Sequence, residues 1–544
     1  MEDLSSADAE GKAGGKRPRA LIWYPVLLVL LTFWLYYPIL DYLQLGFEDE
    51  GEILHAGHRV FQGQFPNRDF FVMFPPLSYL IPALSWTIFG ESLFTARLPL
   101  LFLIAASAVL LFFIGRRLLS DRVSALAAAL FVIEVTNWPV WSQNWSNVPF
   151  ILLECWLLIL HVERRSRWGL YLAGLAVGLC FLNTPQAGVI TLVLGSIVAF
   201  TDQQWRERVR SLGTLLLGTA TVLGAFCLIY AINGALSPML EDQWSVLLSQ
   251  YPEFNKIPYQ IFPDKELFLS GLETAGGLSW AEWWQARRQL MGLFTWPLVT
   301  LLSHSLYYPV VLLAFVLAFH QWWTTRERVF CIVAVAQLGL SFHTLFRPDA
   351  AHLAFTRTLW WILFFFLLQK LLTGRPRVTK ALVLTPLVVA ILAASIQAGL
   401  RRKQWTGAPY QVALARDTLR VSDPRVGTIL QNLQRFLNDK TKPGDKIFIY
   451  PWNALLYILM GRDNVATVDR LLPIYTPPAV FESVFQELVK SEEDLKLILL
   501  FSINFDLYLA QYPNVPPELF KTTYLNFEDR LKERFPSKVF KVQL

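Results

Sequence analysis

The sequence predicts an α-helical polytopic membrane protein of about 11 transmembrane helices with a small C-terminal α/β soluble domain, and three observations carry the prediction. The 544 residues are 54% hydrophobic, 14% aromatic and only 17% charged, with a mean hydropathy of +0.40, as in chains whose apolar surface faces lipid. Apolar runs long enough to cross roughly 30 Å of hydrocarbon recur from Ala20 to about residue 400. After Arg401-Arg402-Lys403 these runs stop, and helix-like and strand-like patterns alternate. The net charge of +6 is no nucleic-acid signal, because the basic residues fall in short tracts between apolar runs, where orientation signals belong. Cys155, Cys180, Cys227 and Cys331 each lie inside an apolar run without CxxC or metal spacing, which argues against a disulfide framework or a zinc site.

Residues 1–19 read as a cytoplasmic tail ending in Lys16-Arg17-Pro18-Arg19. The run Ala20 to Leu40 reads as an uncleaved anchor, longer than a signal-peptide core and without a small-residue cleavage site after it. Further runs fall near 94–115, 123–136, 146–162, 168–183, 187–201, 211–232, 298–319, 329–346, 352–371 and 379–398. Alternating from a cytoplasmic N-terminus puts every basic tract inside: Arg116 to Arg122, Arg164 to Arg167, Arg206 to Arg210, Arg326 to Arg328 and Arg375 to Lys380. The same alternation collects on the non-cytoplasmic face a loop at 41–93, the long loop 233–297, the segment Arg347 to His352 and everything after residue 400. Residues 75–90, short and interrupted by Pro82, read as an interfacial helix. The domains expected are thus the tail 1–19, a transmembrane domain 20–400 and a non-cytoplasmic domain 401–544. In the last, helices are predicted near 426–438, 454–460 and 480–490, and strands at 446–450 and 495–501. It carries neither GxGxxG nor GxxxxGK[ST].

Glu48, Asp49, Glu50 and Glu52 follow the first apolar run directly, and acids beside a bilayer require water or a polar cavity. Asp49-x-x-Glu52 is also a capping box for a helix through His55 and Arg59. Crowded acids raise one another's pKa and make one of them a better proton acceptor, which suits activation of a hydroxyl. Both readings stand on the sequence. Arg97 opens the second long run, either snorkelling to headgroups or binding an anion. Arg347-Pro-Asp349-x-x-His352 forms either a polar site or an Arg347–Asp349 pair with His352 at the interface. In Arg68-Asp69-Phe70-Phe71, Asp69 either positions a substrate or caps the interfacial helix. Trp138, Trp141, Trp145 and Trp244 are ligand-stacking or interface-anchoring tryptophans.

The stretch Phe47 to Pro99 resembles the GT-C membrane glycosyltransferases, in the branch of protein O-mannosyltransferases, lipid A aminoarabinose transferases and their bacterial relatives. The resemblance rests on an acidic pair after the first membrane helix, Phe74-Pro75-Pro76-Leu77, Phe89-Gly90-Glu91-Ser92 and Arg97-Leu98-Pro99. It implies a GT-C-like fold and an inverting transfer of sugar from a polyprenyl-phosphate donor to a hydroxyl on a lipid, glycan or protein, with Asp49 as the base. Glu50, Arg68, Asp69, Arg97, Arg347, Asp349 and His352 are the expected substrate-binding residues. Phe74 stands where aminoarabinose transferases carry Lys, so a phosphate contact has to come from elsewhere. No cofactor is implied, and the acid cluster leaves a divalent cation open. The expected location is the plasma (inner) membrane, with the bilayer and the lipid-linked donor as partners and no nucleic acid. A transporter or flippase of lipid-linked or anionic solutes is the rival; it calls for ionisable residues deep in the membrane segments, where Glu134 and Glu154 are the main acids.

Overall fold

The computed structural model describes residues 18–43, 48–200, 204–247, 251–259, 304–324, 328–344, 347–472, 476–502 and 512–542, with a few single residues between. The tail 1–17, Phe47, and most of 260–303, including the greater part of the second half of the predicted outer loop, lie outside the described residues.

Hydrocarbon tolerates backbone only where every N–H and C=O is bonded internally, and the apolar runs accordingly fold as helices. In order these are α1 (Pro18–Tyr36), α2 (Glu48–Phe61), α3 (Pro76–Phe89), α4 (Leu93–Gly115), α5 (Asp121–Val135), α6 (Gln143–Arg164), α7 (Arg167–Asn183), α8 (Pro185–Ala199) and α9 (Trp205–Ile232). Helices Tyr307–Thr324, Arg328–Ser341, Ala350–Thr356, Trp360–Leu372 and Arg377–Thr406 follow. Among the described residues, five segments are long and apolar enough to cross a membrane: Ile22–Ile39, Leu93–Gly115, Gln143–Arg164, Trp205–Ile232 and Arg377–Thr406. Shorter apolar helices such as α7, α8 and Arg328–Ser341 pack among them. The start of α4 shows how local chemistry sets these ends. Ser92 accepts from Thr95 N while the Thr95 hydroxyl accepts from Ser92 N, a reciprocal cap that satisfies two orphan donors.

Two expectations need correction. The run 352–371 is not one helix: Asp349 caps the short helix Ala350–Thr356, and the helix breaks at Arg357 before Trp360–Leu372 begins. At the break the buried guanidinium of Arg357 pairs with Glu134 of α5. The last long helix also runs to Thr406, past the boundary expected at 400.

Beyond it, β1 (Tyr410–Ala413) and β2 (Thr418–Val421) form an antiparallel hairpin that the sequence reading did not anticipate. The strand-like segments at 446–450 and 495–501 are β3 (Lys446–Tyr450) and β5 (Leu497–Phe501). With β4 (Asp463–Asn464) and β6 (Val539–Val542) they make a four-stranded parallel sheet of order β4-β3-β5-β6. β5, Leu-Ile-Leu-Leu-Phe, is buried along its whole length, as a central parallel strand covered on both faces must be.

This C-terminal region is fastened to the first loop of the chain. Leu43 N donates to Arg420 O at 2.9 Å, Arg420 N to Asp41 O at 2.9 Å, and Phe71 N to Thr467 O at 2.9 Å. Leu93 N donates to Asp417 Oδ2 at 2.6 Å. Gly51 lets α2 approach closely, since a Cβ there would lie 2.9 Å from Leu455 Cβ and 3.0 Å from Leu455 N. Gly57 does the same toward α3, where a Cβ would meet Tyr79 O at 2.7 Å. α2 is therefore wedged between the helical region and the C-terminal region, where it meets the helix Leu455–Met460. That wedge places its acids.

Candidate functional site

The acids of α2 part company around the helix. Glu50 turns inward and is fully buried, where Arg97 of α4 meets it through two parallel bonds, Nε to Oε1 at 2.8 Å and Nη2 to Oε2 at 2.5 Å. Trp141 N also donates to Glu50 Oε1 at 3.1 Å. The third arm of Arg97, Nη1, donates to Ile39 O at 2.8 Å and Tyr42 O at 2.7 Å. Arg97 and Glu50 were expected at substrate, and the geometry corrects this: their polar atoms are taken up by protein, and together they pin α2, α4 and the end of the first span.

Asp49 and Glu52 face the other way. The Asp49 side chain is 57% exposed and accepts from Arg470 Nη2 at 2.7 Å. The Glu52 side chain is 9% exposed, with Oε2 2.8 Å from Arg470 Nε in an ion pair not aligned as a hydrogen bond. The capping box is not formed as expected, because α2 already begins at Glu48 and Glu52 is directed to Arg470. Burial pushes the Glu52 carboxyl up to about 7, with the Arg470 charge offsetting part of the rise and Asp49 and Asp469 adding to it.

One turn further on, His55 Nδ1 lies 2.8 Å from Asp469 Oδ2, and Arg59 Nη1 is 3.3 Å from Asp469 Oδ1. Asn464 Nδ2 donates to the same oxygen at 2.8 Å. Burial raises the Asp469 carboxyl, but His55, Arg59 and Asn464 together outweigh it and hold it at about 2. A depressed folded pKa means the unfolded chain takes the proton first on acidification. The stability from Asp469 is therefore complete above the ordinary value of 3.8 and lost as pH falls through about 2. Asp469→Asn is expected to lower stability by about 3–5 kcal/mol, since it strands Arg59 in a buried site. Thermal melts from pH 7 down through pH 2 check both the loss and the flatter acid limb of the variant.

The remaining expected residues form separate pairs. Arg68 and Asp69 bond each other through Nε–Oδ1 and Nη2–Oδ2, both 2.8 Å, and are part-exposed in the turn after α2. Asp69 also accepts from Phe65 N at 2.7 Å; it caps that turn, whereas α3 starts at Pro76 with Pro75 at its N-cap and no side-chain cap. Arg347 Nε donates to Asp349 Oδ2 at 2.8 Å and Nη1 to Asn255 Oδ1 at 2.5 Å, with its guanidinium 4.8 Å from the Tyr512 ring centre. His352 Nδ1 lies 2.7 Å from Asp349 Oδ1. Burial raises the Asp349 carboxyl, while His352 and Arg347 more than reverse this and hold it well below the usual range. Among the described residues no hydrogen bond or ion pair joins the Arg347 cluster to Asp49 or to the Arg68–Asp69 pair. Trp141 and Trp145 are buried, their indoles donating to Ser78 O at 2.7 Å and Trp138 O at 2.8 Å, so they are core residues; the Trp244 side chain lies outside the described residues.

Sequence reasoning missed Asp469 and Arg470 altogether. They sit in an ordinary loop after β4, and only the fold brings them to α2 across 414 and 421 residues. It also missed Arg357. Among the described residues, no group of three or more His, Cys, Asp or Glu is placed to hold a metal ion. A groove of about 400 Å³ opens between α5, Trp360–Leu372 and Arg377–Thr406, lined by apolar side chains such as Trp361, Phe364, Leu387 and Ile391, with Glu134 and Asn137 among its few polar groups.

Comparison with known proteins places this geometry in context. Residues 74–230 match the family described as dolichyl-phosphate-mannose-protein mannosyltransferase, a stretch that begins after Asp49. The undecaprenyl phosphate-alpha-4-amino-4-deoxy-L-arabinose arabinosyl transferase of Pseudomonas aeruginosa is 31% identical over 182 residues, 31% of this chain and 32% of the relative. That of Pseudomonas fluorescens is 28% identical over 180 residues, with 31% and 32% covered. The match thus spans about a third of these relatives' length. The apo structure of ArnT from Cupriavidus metallidurans superposes over 91% of this chain and 95% of its own with a TM-score of 0.51 at 12% identity, which shows a shared fold. The resemblance of this chain to the GT-C membrane glycosyltransferases, read first from residues 47–99, is borne out by these relatives.

Proposed function

We propose that this protein is an inverting glycosyltransferase that moves a sugar from a polyprenyl-phosphate donor to a hydroxyl on the non-cytoplasmic face of the membrane, with Asp49 as the base. The observation that carries the reading is the Asp49 carboxylate. It stands half-exposed at the start of a helix directly after the first membrane span, held by a buried arginine and flanked by a second acid. A hydroxyl within about 2.6–3.2 Å of that carboxylate gives up its proton as it attacks the anomeric carbon, and the polyprenyl phosphate leaves from the opposite side. The names and fold of the relatives support a lipid-phosphate sugar as donor. Arg347 and His352 are the proposed cations for its phosphate, and Arg68 and Asp69 the proposed rim of the acceptor side. The apolar groove suits a hydrocarbon chain.

The basic tracts between the apolar runs support a multi-pass inner-membrane protein with a cytoplasmic N-terminus. They likewise support a tail at 1–19 and a transmembrane domain from residue 20, with the C-terminal domain that follows Thr406 outside. The test is transfer of labelled sugar from polyprenyl-phosphate donors in membranes that carry or lack the protein. Lipid-linked sugar moved across the bilayer without transfer to any acceptor would instead favour the flippase reading.

A further inference from the structure

The hydrogen bond donor that reaches Asp49 comes from 421 residues away. One guanidinium, that of Arg470, is shared between two carboxylates a single turn apart: Nη2 is 2.7 Å from Asp49 Oδ1 and Nε 2.8 Å from Glu52 Oε2. The Arg470 and Glu52 side chains are almost wholly buried while Asp49 is open to solvent, so the cation lies behind the carboxylate it holds. The loop that presents Arg470 is itself fixed, since the adjacent Asp469 is held by His55, Arg59 and Asn464. Nothing in this arrangement is needed to cap α2, and its buried charges are costly unless paired.

We propose that Arg470 is a positioning residue for the proton acceptor Asp49, contributed by the C-terminal region, and that Glu52 is the ionisable neighbour through which pH acts on it. This rests on the glycosyl-transfer reading. Arg470 fixes one oxygen of Asp49 and leaves the other to an incoming hydroxyl. The groups facing Glu52 are Asp49 on its own helix and Arg470, Asp469 and the Asp469-bound His55 around it. Below about pH 7 Glu52 is protonated, and of the two carboxylates only Asp49 presents a charge to Arg470. Above it the Glu52 charge competes for the same guanidinium and puts a second negative charge beside Asp49. The rate of transfer therefore changes as pH passes through about 7.

Three variants of the full-length chain test this: E52Q, R470M and R470K, with E52Q/R470M as a folding control that leaves neither partner as an uncompensated buried charge. E52Q is expected to lose the limb near pH 7. R470M removes the cation that opposes burial, so the Glu52 limb moves to higher pH and kcat/KM falls by about 10²-fold. R470K, which keeps charge without the fork, recovers part of the loss. Infrared titration of the purified protein reads the Glu52 carboxyl without any donor: a protonated-carboxyl band is lost through about pH 7 in wild type, is absent in E52Q and is displaced upward in R470M. Wild-type transfer together with an R470M that keeps the same rate and limb overturns the inference, as does a titrating band that neither variant changes. Wild-type protein that transfers no sugar from any polyprenyl-phosphate donor overturns the functional reading instead, and the infrared arm still decides whether Arg470 and Glu52 are coupled.

Discussion

Asp49→Asn is expected to lower sugar transfer by about 10²–10⁴-fold, the range for removal of a general base, with the fold left intact. The fold survives because the side chain is more than half exposed and its one described partner, Arg470 Nη2, finds the amide oxygen where it found the carboxylate. The loss belongs to the chemical step, so kcat falls while donor binding, read by retention of labelled lipid on purified protein, stays near wild type. Initial rates in membranes, normalised to protein amount, provide the measurement. Undiminished transfer by this variant would remove Asp49 from the reaction and with it the proposed mechanism.

Arg97→Met is expected to lower stability by about 3–5 kcal/mol, because it leaves Glu50 charged and buried with no cation. The two side chains are 3% and 0% exposed, and the guanidinium also holds the carbonyls of Ile39 and Tyr42. The expected result is a chain that melts well below wild type or fails to accumulate in the membrane. A donor-binding role and a structural role are separated by the double variant Arg97→Met with Glu50→Met, which removes both charges and is expected to recover most of the melting temperature. Recovery of folding marks Arg97 as a brace. A well-folded Arg97→Met that has lost only donor affinity would restore the phosphate-binding role.

The contrast between these two acids marks what the sequence could reveal. Composition and apolar runs locate α1, α4, α6 and α9, because lipid demands about 20 apolar residues per span and few other segments supply them. The break at Arg357 was hidden inside an apolar run, since one arginine barely changes a 20-residue average and its partner Glu134 lies on another helix. β3 and β5 were legible as short β-rich runs after turn signals, whereas two-residue β4 is too brief to carry a period. In the site, the acidic cluster was visible but its division was not. Helical spacing says that Glu52, His55 and Arg59 share a face. It does not say that the face meets Asp469 and Arg470, because no local pattern encodes a contact across more than 400 residues. Glu50 and Asp49 are adjacent in sequence and point to opposite sides of α2, one into a brace and the other into solvent.

The clamp on α2 also orders events in time. The helix leaves the ribosome long before the loop that completes it, and 421 residues separate Asp49 from Arg470. At roughly 5–20 residues per second, synthesis of that interval takes on the order of 20–80 s. Throughout it the membrane helices are already being inserted while the acidic segment waits without its distal partners. Arg470 thus reaches Asp49 only once synthesis is in the last quarter of the chain.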